Sequence, residues 1–111
     1  MEASNLAMYF MILDDVPDTF VPVICAHGSL MCYWRFLNED AMVMWCNSSF
    51  KKRVCCVNQK EFDKAKEAGN FVEVTESALG GRVVAAVFAP RLEEWQNVFK
   101  FAKLWKPSYN S

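Results

Sequence analysis

A single histidine, His27, stands in this chain of 111 residues, beside only four glycines and four prolines. With one histidine, no C-x-x-C pair and no H-x-x-x-H pair, the sequence lacks the ligand spacings of a structural zinc site, and we expect neither metal nor cofactor. The five cysteines, Cys25, Cys32, Cys46, Cys55 and Cys56, form an odd set that reads as reduced thiols rather than a disulfide framework. Excess charge is also missing. Twelve basic residues face 13 acidic ones. No net field therefore draws the chain onto nucleic acid; DNA is not an expected partner, and any RNA contact would be local. The longest uncharged runs, "FVPVICAHGSLMCYW" and "VVAAVFAP", fall short of the roughly 20 apolar residues of a membrane span. No basic stretch followed by an apolar one marks "MEASNLA" as a secretory signal. A cytoplasmic protein without a membrane partner is the expectation.

What the sequence has is apolar mass. Hydrophobic residues make up 53% and charged residues 23%, the balance of a packed globular domain, and the length fits one domain over residues 1–111. "LAMYFMIL" (6–13) and "RVVAAVFA" (82–89) are continuous apolar runs of strand length, as expected for strands covered on both faces. "RVCCV" (53–57) and the alternating "FVEVT" (71–75) supply two more strands.

Between the strands lie helical patterns. Asp18 or Thr19 is placed to cap a helix that tolerates Pro22 in its first turn. Val23, Ile24, Leu30, Met31 and Trp34 recur along it as a buried stripe, with His27 on or beside the stripe and Gly28 small enough for close approach. Ala41, Met42, Met44 and Trp45 suggest a short helix before the turn "NSS". Asn58 caps "QKEFDKAKEAG", which Gly69 ends. "RLEEWQNVFKFAKLW" (91–105) reads as a final amphipathic helix, with Trp95, Phe99, Phe101 and Trp105 available as a dimer or partner surface. The order β-α-(α)-β-α-β-β-α predicts an α/β three-layer sandwich, a mixed four-stranded sheet with helices on both faces.

Catalytic patterns are sparse. A nucleophile–base pair needs cysteine or serine near His27 in space, yet Cys25 does not share its helical face, and the i+4 position is Met31. "ALGGR" is a weak anion cradle and more commonly a turn. Asp14, Asp15 and Asp18 follow the first strand and Glu76 follows the third, at strand ends where open α/β sheets seat ligands. Lys51, Lys52 and Arg53 form the one compact basic cluster.

The succession "MYFMILDD…FVPVICAHGSLMCYW…RVCCVNQKEFDKAKEAGNFVEVTES…RVVAAVFAP" resembles the type 2 peptidyl-tRNA hydrolases over nearly the whole chain. Its most specific matches are C-x-H within the first helix (Cys25, His27, then Gly28), the A-K-x-x-G helix end (Ala65, Lys66, Gly69) and a last apolar strand closing in Pro90. The resemblance implies a homodimer that cleaves the ester between peptide and tRNA 3′ end without a metal, with His27 and Glu76 as catalytic residues. It also has departures. Where the family places its catalytic Gly-Lys pair this chain has Thr19 and Phe20, its glutamine is Ile24, and "ESALGG" stands where D-A-G-x-T is expected. Losing that lysine removes the group that would stabilise a developing oxyanion.

We therefore expect the fold to be kept and the pocket turned to binding. A cleft lined by Phe20, Ile24, His27 and Glu76, with Asp14 and Arg82, would hold and sequester a nucleotide-like small molecule. A divergent hydrolase acting through His27 and Glu76 is the alternative, and a protein–protein interaction module a second one.

Overall fold

The computed structural model describes residues 6–107. β1 (Ala7–Leu13) is buried along its whole length. After a 3-10 turn at Asp18–Phe20, α1 (Val21–Arg35) and α2 (Asp40–Cys46) return the chain to β2 (Lys51–Val57), which pairs parallel with β1. α3 (Gln59–Lys66) leads to β3 (Phe71–Glu76), and a turn through Ser77–Leu79 leads back along β4 (Arg82–Phe88). A one-turn helix, α4 (Asn97–Lys100), and a two-residue strand, β5 (Lys103–Leu104), complete the fold. The sheet order is β3-β4-β1-β2-β5, with only the β1–β2 pair parallel. Among the described residues no helix is long and apolar enough to cross a membrane.

Register and alternation assign the two faces of the sheet. Phe10 lies opposite Val87 and Ile12 opposite Ala85. Val72 and Val74 join them from β3. That face lies under α1, because Gly28 sits directly over Val87 and Val74. On the other face, Tyr9 pairs with Phe88 and Phe88 with Phe71. Tyr9 and Phe88 support Phe99 at ring separations of 5.4 and 4.9 Å, and Trp95 packs on Phe99 at 4.7 Å. α3 packs beside α4 there. Helices thus cover both faces, as the doubly apolar runs of β1 and β4 predict.

Local chemistry explains the elements that matched. Asn58 accepts from the Glu61 amide at 2.8 Å, and Glu61 accepts from the Asn58 amide at 2.9 Å, a reciprocal cap that starts α3. Gly69 at φ +73 ends that segment. The guanidinium of Arg91 then donates to the carbonyls of Ala68 and Gly69 and stacks on Trp95, holding the end of the α3 segment to the chain beyond β4.

Four expectations are corrected. The sheet has five strands rather than four, because residues 103–104 pair with Cys55 and Cys56 of β2. Most of the expected final helix over 91–105 is not helical. Trp95 and Phe99 are drawn into the aromatic layer over Tyr9 and Phe88, and only Asn97–Lys100 turns. These two aromatics are therefore core rather than a partner surface. α1 buries Val21, Ile24, Gly28 and Cys32, so of the expected stripe only Ile24 goes in and Val23, Leu30, Met31 and Trp34 stay exposed. A helix with two apolar stripes sits closest to a sheet on its smaller side chains, so the glycine and cysteine face goes in and the bulky one stays out. Its start is also uncapped by Asp18 or Thr19: Phe20 is the N-cap residue, with no side-chain bond.

Candidate functional site

The six residues expected to form one cleft are dispersed. Ile24 is fully buried at 0% exposure in the core beneath α1, and so cannot line a cleft. His27 is exposed rather than on the buried stripe, and its side chain makes no hydrogen bond or ion pair among the described residues. Phe20 packs half-buried at the start of α1. It lies seven residues before His27, or roughly 10 Å along the helix axis.

The strand ends have closed on themselves. Glu76 pairs with Arg82 in register, and its carboxylate accepts from the Ala78 amide at 3.0 Å, capping the turn that Gly80 and Gly81 complete at positive φ. Arg82 donates to Asp15 at 3.0 Å. Asp14 is exposed, and its amide donates to the Val57 carbonyl at 2.8 Å. With Asp18, Cys56, Lys103 and Trp105 it lines a small cavity of about 230 Å³ at the carboxyl ends of the parallel pair. The structure therefore brings Asp15, Glu76 and Arg82 to one end of the sheet, with local partners, and leaves His27 apart from them.

The thiols do not supply a nucleophile either. Burial pushes Cys32 up to about 12 and Cys55 up to about 11, and it also raises Cys25. These are neutral, apolar side chains near neutral pH. Among the described residues no three His, Cys, Asp or Glu side chains gather as a metal site. A pH dependence follows from the raised thiols. The folded chain keeps these protons where the unfolded chain, ionising near 9, releases them. Their contribution to stability is therefore complete below about pH 9 and is lost as pH rises toward 11 and 12. Urea midpoints should fall over that window, and Cys32→Ala should flatten the fall. An equal slope in that variant would show that Cys32 plays no part.

A strongly apolar concavity lies elsewhere. α1 contributes Ser29, Leu30 and Tyr33, α2 contributes Trp45 and Cys46, and Phe50 and Lys52 close a groove of about 400 Å³. It forms because α1 covers β3 and β4, leaving β2 on that face only partly roofed. Trp45 is buried and fixed by its indole N–H, which donates to the Lys51 carbonyl at 2.7 Å. Phe50 adopts φ +52, a region costly for a bulky residue, and so carries its ring outward instead of into the core. The ring is 53% exposed and lies 4.7 Å from that of Trp45. The Lys52 ammonium rests 3.2 Å from the centroid of the Phe50 ring and donates to the Phe50 carbonyl at 3.0 Å. Partial desolvation lowers its pKa, with Cys46 acting in the opposite direction.

Sequence reasoning missed this groove. Its signals were present in "MWCNSSFKK", where an aromatic flanks each side of a polar turn just before a basic pair, but no periodicity reveals that Phe50 turns outward. A scan against family models finds no match for this chain. A search of curated proteins likewise finds none that matches it.

Proposed function

We propose that this protein is a binding module that holds a nucleotide-like small molecule without turning it over, in the groove between α1, α2 and β2. The carrying observation is the groove itself: aromatic walls from Tyr33, Trp45 and Phe50 and a single cation, Lys52. A planar base gains about 1–3 kcal/mol by stacking on an aromatic ring, and a phosphate would meet the ammonium at the rim. The volume of about 400 Å³ suits a mononucleotide. The resemblance to type 2 peptidyl-tRNA hydrolases is supported by the mixed sheet covered on both faces and by a histidine on the first helix. Hydrolysis is the weaker reading. Among the described residues His27 has no side-chain partner to activate it, Glu76 is engaged in a turn, and Phe20 stands where the resemblance would place the lysine of that family.

The test is tryptophan-fluorescence titration with nucleoside monophosphates, alongside peptidyl-tRNA cleavage on the same sample. Saturable quenching is expected. Lys52→Ala and Tyr33→Ala should each weaken binding by about tenfold, His27→Ala should leave it unchanged, and no cleavage should occur. Binding that ignores Lys52 and Tyr33 would reject the groove. Cleavage lost in His27→Ala would instead establish the hydrolase reading.

A further inference from the structure

The basic cluster of Lys51, Lys52 and Arg53 is divided by the pleat of β2. Lys52 turns to the groove between α1 and α2, and Arg53 turns to the opposite face of the sheet. There it stands beside Tyr9, its register partner on β1, about 5 Å away across the parallel pair. The layer of Trp95 and Phe99 lies over Tyr9 and Phe88 of β1 and β4, and beside it, over β2 and β5, a cavity of about 450 Å³ opens. Tyr9 and Arg53 line it from the sheet, Lys100 lines it from the end of α4, and Phe99, Ala102 and Leu104 give it an apolar wall.

We propose that this cavity is a second ligand site, on the other face of the sheet from the groove, and that it takes a small phosphate monoester. Tyr9 carries the argument. Its ring is held by Trp95 at 4.5 Å and Phe99 at 5.4 Å, and the residue is only 6% exposed, yet its hydroxyl has no hydrogen-bond partner among the described residues. A tyrosine this deep ordinarily bonds to its own chain. Nor is its oxygen sealed, because among the described residues Arg91 Nε is the one fully buried side-chain nitrogen or oxygen left without a partner. The hydroxyl therefore opens into the cavity that Tyr9 lines, where a ligand can reach it.

The charges select an anion. Arg53 makes no ion pair among the described residues, and Lys100 is held only by Glu94, at 2.9 Å in an exposed pair that a ligand can displace. Among the described residues no carboxylate lines the cavity. Burial raises the pKa of Tyr9, with the Arg53 charge opposing it, so the hydroxyl keeps its proton and donates. A phenol, a guanidinium fork and an ammonium match the three terminal oxygens and the near-double charge of a phosphate monoester, whereas a carboxylate would leave one donor unused. The wall of Phe99, Ala102 and Leu104 then receives the organic group of the ester. The site does not rest on the function proposed above.

Isothermal titration calorimetry of the full chain with n-butyl phosphate tests the site, because this ester has no planar ring to stack in the groove. Saturable binding is expected, tighter than that of inorganic phosphate. Tyr9→Phe removes the hydroxyl and keeps the ring on Trp95 and Phe99; it and Arg53→Gln should each weaken binding at least about tenfold, with the melting temperature unchanged. Glu94→Gln, which frees Lys100, should tighten binding about threefold, a gain that damage to the fold cannot produce. Absence of saturable binding would overturn the proposal, and so would binding that is indifferent to Tyr9→Phe. Binding lost in Lys52→Ala and kept in Arg53→Gln would place the anion in the groove instead and overturn it as well.

Discussion

Gly28→Val should destabilise the fold by about 3 kcal/mol, and Gly28→Ala by about 2 kcal/mol, although alanine is the better helix former by about 1 kcal/mol. A Cβ at this position would fall far inside van der Waals contact with Val87 Cγ2 and 3.1 Å from Val74 Cγ2. Neither neighbour can yield. Both are buried, and a β-branched side chain has few rotamers to escape into. α1 would have to rise from the sheet along its whole length, carrying Leu30 and Tyr33 with it. The decisive measurement is a double-mutant cycle in urea. In a Val87→Ala background, Gly28→Ala should become neutral or mildly stabilising, a coupling of about 2 kcal/mol. Additive effects would mean that the helix does not bear on Val87.

Phe88→Ala should cost about 4 kcal/mol, the upper range for deleting a buried aromatic side chain. Phe88 is completely buried, between β3 and β1, with ring contacts to Phe71 at 5.2 Å and Phe99 at 4.9 Å. Removing it opens a void beneath the layer that holds Phe99, and Trp95 rests on Phe99. The stability loss should come with a red shift of Trp95 emission, best read in a Trp45→Phe, Trp34→Phe, Trp105→Phe background. Phe101→Ala, also a phenylalanine of the C-terminal segment but 79% exposed, should change stability by less than about 0.5 kcal/mol. Equal costs at the two positions would contradict the packing described here.

The sequence was most readable where a single local signal decided the structure. The unbroken apolar runs of β1 and β4 read as strands covered twice, and Asn58 marked a helix start that the structure completes with Glu61. It was misleading where two solutions shared one pattern. α1 has both a bulky apolar stripe and a small-residue one, and periodicity alone does not say which faces the sheet; the distance to Val87 decides. "RLEEWQNVFKFAKLW" has helical spacing too, but Trp95 and Phe99 gain more by reaching Tyr9 than a continuous helix would permit, so tertiary packing overrode propensity. The expected site failed for a related reason. Ile24 lies on the face that turned inward, and Glu76 and Arg82 were used by the turn and by Asp15. The groove was invisible because it depends on Phe50 adopting a positive φ, for which a phenylalanine gives no advance sign.

The two rims of the sheet set what kind of assembly this molecule can enter. At one rim β5 gives only two residues, and at the other β3 is broken in register between Val74 and Thr75 and carries the Lys66–Glu73 ion pair. A growing fibril needs a long, flat, unguarded ladder on which the next chain can template itself, and neither rim offers one. Polymerisation through main-chain hydrogen bonds is thereby discouraged at both ends of the sheet. Contacts between molecules are left to side chains, chiefly those on the exposed faces of the helices.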